Sequence, residues 1–322
     1  MSPLAARTSS SGDTMLYLTE DQVRGLADVE GIIGALRSAF ARDFSRTLQM
    51  PVRSSLSFDN VGVLLVMPAY DSALGMAGLK TVTVTKRSGV NATYELLDAQ
   101  TGAVLARMEA NWLTDLRTAA TSALATDLLA RADTHTLGVF GSGRQASAHF
   151  AVLPRVRRFS RFLVCGSGRA DLKTFCSSMK QQHHIDIEIT DAETCVRQSD
   201  VICTCTTSRT PVFDGRWLKP GTHLNAVGAF QPETRELDDE TVRRSRIVVD
   251  TYEGALAEAG DILIPLANAV IEKQQIVGDL HQIVSEERQA RTSPEDITLF
   301  KSVGCALEDL VTAKLIYGRA RS

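Results

Sequence analysis

The sequence predicts an α/β protein: a doubly wound parallel sheet joined to a second, discontinuous α+β domain. Three observations carry that prediction. From residue 136 onward, short strand-like runs alternate with helical stretches across short connections. This is the rhythm of a parallel sheet with helices on both faces. The run "LGVFGSGRQA" at 137–146 puts a glycine turn between a strand and a helix. The last stretch, "FKSVGCALEDLVTAKLIYG", is helical and breaks the rhythm, so it is expected to return to the N-terminal part of the chain.

At 322 residues the chain can form one large or two medium domains. A formal net charge of −3 gives no electrostatic reason to expect nucleic acid or an anionic membrane as partner. No apolar run approaches a membrane span. The Ser-rich start, "MSPLAARTSSSGDT", is short and lacks an amphipathic face, so it reads as a disordered tail rather than a transit peptide. The six cysteines lie at 165, 176, 195, 203, 205 and 305, without a zinc spacing. Cys203 and Cys205 share a strand face and read as small buried hydrophobes. With no His-x-x-x-His pair and no disulfide framework, no metal site is expected, and the compartment reads as a reducing cytoplasm.

Taken in order, Thr19 and Asp28 are helix caps. Ile32, Ile33, Leu36, Ala39 and Phe40 then recur at helical spacing. "GVLLVMPAY" and "GLKTVTVT" are strands. "LTDLRTAATSALATDLLARA" is a helix, with Thr114 as its expected cap and a stripe of Leu116, Ala120, Ala123, Leu124 and Leu128. Strands follow at "TLGVF", "RFLVC", "IDIEI", "DVICTC", "HLNAVG" and "SRIVVD". Helices lie at "GRQASAHFAVL", halted by Pro154, and at "ADLKTFCSSMK". The basic run "PRVRRFSR" precedes its strand, which puts it at the opposite edge from a nucleotide crevice, as a solvated loop.

The turn has the form G-x-G-x-x-A, with Gly141, Gly143 and Ala146. Gly141 permits the tight turn, and Gly143 lets backbone N–H groups approach a pyrophosphate at the helix N-terminus. Ala146 is small enough for helix–strand packing. The context, strand then turn then helix within a βαβ unit, is that of a Rossmann dinucleotide site. The next strand decides which dinucleotide. Versions that bind NAD carry an acid at its end to hold the ribose 2′-hydroxyl. Here Gly166 stands in that place, with Ser167 and Arg169 able to receive a 2′-phosphate. NADPH is therefore expected over NADH. Asp171, the rival acid, belongs to the first turn of the following helix. Expected cofactor contacts are Gly141, Ser142, Gly143, Arg144, Gln145, Gly166, Ser167, Arg169, Thr206 and Val227.

Lys80 shares a strand face with Val82 and Val84, where an ammonium is costly unless it meets an anion. A lysine snorkelling at a strand end is the alternative. With Thr114 as cap, Arg117 falls in the first helical turn, where the dipole disfavours a cation, so it is expected to be employed elsewhere. Arg53 follows "MPV" on an extended stretch.

"GLKTVTV", "LTDLRTAATSALA" and "GTHLNAVGAFQPETREL", arranged around "GSGRQA", resemble the ornithine cyclodeaminase/mu-crystallin family. "VVDTYEGALAEAGDIL" and the C-terminal stretch extend the resemblance over nearly the whole chain after residue 15. It implies a nicotinamide-dependent enzyme acting on small α-amino or α-imino acids, usually a homodimer, or a ligand-binding protein of the lens type. It also implies a substrate-binding and dimerisation domain over 1–120 with 298–322, and a Rossmann domain over 121–297. By the same resemblance, Arg53, Lys80 and Arg117 form a carboxylate-binding cluster, with Lys80 and Arg117 as catalytic residues. Glu258 and Ser302 are candidate pocket residues, a surface helix position being the equal alternative for Glu258.

Two departures matter. Members that cyclise ornithine carry an aspartate where this chain has Phe230, within "AVGAFQPETREL". A phenyl ring cannot serve amine chemistry, but it offers an apolar wall to a small ring. The form resembles the family's reductases of Δ1-pyrroline-2-carboxylate and Δ1-piperideine-2-carboxylate, which yield L-proline and L-pipecolate. The short segment "TKRSGVNATYELL" is the second departure. Ornithine cyclodeaminase and an alanine-dehydrogenase-like enzyme remain open, separated from a ketimine reductase by dependence on ammonia or its release.

Overall fold

The computed structural model describes residues 15–322 except Ser88. The N-terminal tail expectation lies outside the described residues. Two sheets organise the chain. The first has seven strands, with Leu16–Leu18, Val104–Glu109, Gly89–Asp98, Met76–Thr85, Gly62–Asp71 and Leu48–Gln49 in that spatial order. Ser54–Phe58 also pairs with Gly62–Asp71. Its three ten-residue strands pair antiparallel along their full length. Leu65, Met67, Val82 and Tyr94 are buried together with Leu113 of one helix and Leu310 and Ala313 of another. The second of these helices is Ala306–Arg321, so the C-terminal stretch does return to the N-terminal sheet.

The second sheet has eight strands, all parallel, in the order Glu188–Ile189, Arg161–Cys165, Thr136–Phe140, Val201–Thr204, His223–Ala226, Ile297–Lys301, Ser245–Val249 and Ile276–Asp279. Strand order reverses on either side of Thr136–Phe140, which opens a crevice beyond the carboxyl ends of that strand and of Val201–Thr204. Two of these strands, "ITLFK" and "IVGD", lie where the sequence pattern predicts none. Phe300 and Lys301, read as helical, end a buried strand, and the chain crosses back at Ser302–Cys305 rather than at 298. "IDIEI" shrinks to Glu188–Ile189, since an edge strand pairs on one side only.

Thr19 and Asp28 cap their helices, accepting from Gln22 N and Gly31 N. Ile32, Ile33, Leu36, Ala39 and Phe40 are all buried. The central helix differs from expectation: it spans Asn111–Leu129 and starts from Ala110, without a side-chain cap. Thr114 is not the cap. It lies one turn in and donates to Ala110 O at 2.8 Å. Asn111 instead ties the helix start to the sheet, accepting from Ala92 N at 2.9 Å. Arg117 therefore sits in the second turn, not the first. The helix is buried on nearly all sides because it lies between the two cores, and only Leu128 of the expected stripe is half-exposed.

The basic run is less solvated than expected. Arg157 is half-buried and donates to Asp127 Oδ1 at 2.6 Å, while Arg155 and Arg161 pair with Glu30 and Glu188. Cys203 and Cys205 are buried, and all six cysteines are free. Among the described residues no helix is long and apolar enough to cross a membrane, and no group of His, Cys, Asp or Glu is placed to hold a metal.

Candidate active site

The crevice at the strand reversal begins with Gly141. Its φ of 112° is a left-handed conformation, and an added Cβ would lie 2.6 Å from Cys205 O. Its N–H donates to Cys165 O at 2.8 Å. Gly143 then opens the helix Arg144–Val152 with no side-chain cap, and a Cβ there would meet nothing within 4 Å. Ala146 is fully buried in the core that holds Val139 and Phe150. The helix start is thus open and uncapped. Beside it, Gln145 Oε1 is buried without a hydrogen-bond partner. An open glycine turn and free helix N–H groups fit the pyrophosphate of a dinucleotide, and the orphaned acceptor fits one of its hydroxyl or amide donors.

Gly166 directly follows the strand Arg161–Cys165. It is exposed together with Ser167 and Arg169, where a ribose 2′-substituent is held in this fold. Asp171 sits in the first turn of Arg169–His183, as expected. Thr206 and Val227 follow the ends of two neighbouring strands. The loops carrying them are pinned by Glu236, a fully buried acid that accepts from Thr206 N at 2.6 Å, Gly228 N at 2.8 Å and Thr204 Oγ1 at 2.8 Å. Lys301, also fully buried, donates to Ala229 O at 2.6 Å and pairs with Asp261 at 2.8 Å, fixing the residue before Phe230.

Facing the turn are the three cations. Lys80 is 1% exposed and meets Asp309 of the last helix, with Nζ 2.8 Å from Oδ1 and 2.7 Å from Oδ2. Arg117 is 4% exposed; its Nε donates to Asp309 Oδ1 at 3.1 Å and its Nη1 to Glu308 Oε2 at 2.7 Å. Arg53 pairs with Glu258 at 2.9 Å and donates to the carbonyls of Val303 and Gly304. Gly304 makes room for Arg117, since a Cβ would lie 2.4 Å from its Nη1. Burial, with Arg117 beside it, lowers the Lys80 ammonium to about 8, although Asp309 opposes the shift. Burial also acts against the charge of Arg117, but Asp309 and Glu308 outweigh it and hold the guanidinium above its usual value.

Each cation thus already has an acid partner. Nη2 of Arg117 and Nη1 of Arg53 make no hydrogen bond among the described residues, and the Lys80 ammonium, a triple donor, hydrogen-bonds Asp309 through Oδ1 alone. Those donors are open to an anion that enters the cleft. All three cations, Phe230 and Ser302 line one cleft of about 370 Å³ together with Gly143, Arg144 and Gln145. The Phe230 ring lies 6.0 Å from the Arg53 guanidinium. Glu258 stands behind Arg53 in an adjoining small chamber. The Ser302 hydroxyl donates to Asp250 Oδ2 at 2.9 Å. Asp250 also accepts from Val303 N and Gly304 N, each at 2.7 Å, and so shapes the crossing loop.

The acids were missed in the sequence. Glu308 and Asp309 sit in "ALEDL", flanked by Leu307 and Leu310, and adjacent acids inside an apolar stretch of helix were the signal available. Asp250 follows a strand, Lys301 ends one and Glu236 lies in a loop, and none of them carries a comparable pattern.

A glycine turn and a cluster of buried cations facing it across one cleft define an enzyme of the oxidoreductase class. The model of the Ornithine cyclodeaminase/mu-crystallin family matches residues 13–322. A Δ1-pyrroline-2-carboxylate reductase of Bacillus cereus is 33% identical over 95% of this chain and 97% of its own. The mouse ketimine reductase mu-crystallin is 34% identical over 92% and 94%. The solved structure of Thermococcus litoralis Δ1-pyrroline-2-carboxylate reductase, in complex with NADH and L-proline, superposes with a TM-score of 0.92 at 36% identity, over 95% of this chain and 98% of that one. The chain belongs to the ornithine cyclodeaminase/mu-crystallin family.

Proposed function

We propose that this protein uses a nicotinamide dinucleotide, NADPH in preference to NADH, to reduce cyclic α-imino acids: Δ1-pyrroline-2-carboxylate to L-proline and Δ1-piperideine-2-carboxylate to L-pipecolate. The observation that carries the reading is the convergence of Arg53, Lys80 and Arg117 on the cleft that Gly143 and Phe230 also line. The names of the relatives point the same way.

When bound, the reduced nicotinamide supplies the hydride. Gly141, Ser142, Gly143, Arg144 and Gln145 hold the pyrophosphate end, while Gly166, Ser167 and Arg169 take the ribose and Thr206 and Val227 the inner end of the cofactor. Arg53 and Arg117 grip the substrate carboxylate through their spare guanidinium nitrogens, which orients the ring as well as binding it. Phe230 walls the ring's apolar edge, and Glu258 and Ser302 keep Arg53 and the crossing loop in place. Lys80, with its ammonium lowered to about 8, can release a proton to the ring nitrogen near neutral pH. Reduction of a closed imine is then mainly a problem of orientation.

The exposed apolar residues Leu56, Phe58, Val61 and Val90 lie on the first sheet and its turns, and favour a homodimer through this domain. The function is tested by following NADPH oxidation with both cyclic imines, with pyruvate plus ammonia, and with ornithine plus the oxidised cofactor. Turnover with the imines alone supports the proposal. Turnover confined to pyruvate plus ammonia, or to ornithine, replaces it.

A further inference from the structure

Helix Asn111–Leu129 carries a second charged residue on the cleft, Asp115, two positions before Arg117. Asn111, Thr114, Asp115 and Thr118 recur at i, i+3, i+4 and i+7, so one polar face of this helix is turned into the cleft. Asp115 reaches the cofactor turn. Its Oδ2 lies 2.7 Å from Nε and 2.6 Å from Nη2 of Arg144, and its Oδ1 accepts from Gln145 Nε2 at 3.0 Å. Glu20, on the helix Glu20–Leu26, stands 4.0 Å from the same Nη2. Arg144 is the first residue of the helix whose N-terminus fits a pyrophosphate. Two of its nitrogens are nevertheless committed to acids that belong to the substrate side of the cleft.

This contact is held from behind. Ser122, two turns beyond Asp115, lies 2.9 Å from Nε2 of the buried His149, whose Nδ1 lies 2.7 Å from Gln145 O. A carbonyl only accepts, so Nδ1 carries the proton and Nε2 accepts from the Ser122 hydroxyl. Helix Arg144–Val152 is therefore braced to helix Asn111–Leu129 at two points, which fixes the backbone that carries Asp115 beside the turn. The Asp115 side chain is only 14% exposed, whereas that of Arg144 is 48% exposed and can swing. A carboxylate that holds two of the guanidinium's nitrogens competes for them with a phosphate at the turn.

We propose that Arg144 is shared between Asp115 and the pyrophosphate of the dinucleotide: Asp115 holds the guanidinium before the cofactor binds, competes with phosphate for it afterwards, and so limits cofactor affinity and speeds release. The inference rests on the turn binding a dinucleotide, not on which imino acid is reduced.

The test is the dissociation constant of NADPH and of NADP+, measured by fluorescence or calorimetric titration of the purified protein. Wild type, Asp115→Asn, Arg144→Ala and the double variant are compared at low and moderate salt. Asp115→Asn is expected to tighten both cofactors about fivefold or more. Loss of fold or of turn geometry would weaken them instead, so the direction itself discriminates. Arg144→Ala is expected to weaken binding, and in that background Asp115→Asn should have at most a small effect. Raising the salt should shrink the gain, because Arg144 is half-exposed. Should Asp115→Asn fail to fold, Glu20→Gln is expected to tighten binding more modestly in the same direction. An unchanged or raised dissociation constant in the acid variants, or equal tightening with and without Arg144, overturns the proposal. Absence of dinucleotide binding by wild type also overturns it. Failure to reduce cyclic imines, with cofactor binding intact, refutes only the proposed substrate.

Discussion

Lys80 and Asp309 are separated by 229 positions in the chain, yet their charged atoms come within 2.7 Å of each other, with side chains 1% and 0% exposed. The contact makes the C-terminal helix part of the site. Arg117 shares the same carboxylate, so the three groups form one buried unit in which the acid is the hub.

Removing the hub and removing a spoke should differ. Lys80→Ala leaves Asp309 paired with Arg117, whereas Asp309→Ala leaves the buried Lys80 without its acid and Arg117 with Glu308 alone. Asp309→Ala should destabilise the fold by roughly 3–5 kcal/mol, the usual cost of stripping one partner from a buried pair. Lys80→Ala should cost clearly less. Urea denaturation of the two variants checks the order, and equal losses would refute the hub arrangement.

In catalysis the same cations should behave alike. Lys80→Ala and Arg117→Ala are each expected to lower kcat/KM for the cyclic imine about a hundredfold or more, the equivalent of on the order of 2–4 kcal/mol of charge-assisted contact. NADPH affinity should barely change in Lys80→Ala, since the turn at Gly143 is a separate structure. Wild-type kinetics in both variants would move the carboxylate site elsewhere.

Cofactor choice should follow Gly166. NADPH is expected to give the higher kcat/KM, and Gly166→Asp should reverse the preference by setting a carboxylate against the 2′-phosphate. The substitution is tolerable in space: a Cβ at Gly166 would meet its nearest neighbour, Leu172 Cδ2, at 3.4 Å. Equal or better turnover of the unmodified protein with NADH would remove the assignment.

Phe230 should separate imine reduction from cyclodeamination. Ornithine must be oxidised, closed onto its own side-chain amine and relieved of ammonia before the hydride returns. By the family resemblance Phe230 stands where cyclising members carry a carboxylate, and Lys301 fixes the preceding carbonyl. Incubation with ornithine and oxidised cofactor should release ammonia and proline far more slowly than the closed imine is reduced. Comparable rates would show that the ring is no obstacle.

The brace at His149 should appear in the pH dependence of stability. Burial lowers this imidazole from 6.5 to about 4. Between those values the unfolded chain binds the proton and the folded one does not, so stability rises with pH through this window and is lost as pH falls from 6.5 toward 4. The loss should amount to roughly 3 kcal/mol at most. Urea midpoints of His149→Gln across this range should fall less steeply than those of wild type; parallel profiles would show that His149 is not the group responsible.

The parallel sheet was legible because its strands alternate with helices and its glycine turn stands where the topology requires. The caps at Thr19 and Asp28 were legible for the same reason, being decided within a few neighbouring residues. Thr114 misled because cap preference is local, whereas the start of its helix is decided by Asn111 bonding to a strand nineteen positions earlier in the chain. "ITLFK" was missed because its place in the sheet, between strands that begin at 223 and 245, depends on partners far from it in sequence.

The sequence by itself determined the βαβ order, the G-x-G-x-x-A turn, the missing acid at Gly166 and the phenyl ring at 230. These are properties of residue type and short spacing, and they survive whatever the rest of the chain does. Only the tertiary structure decided which charges meet: Lys80 and Arg117 with Asp309, Arg53 with Glu258, and Asp115 with Arg144 at the cleft. The reason is physical. A buried cation is stable only beside an anion, and nothing in the local sequence says which of 38 acidic residues folding will bring within reach.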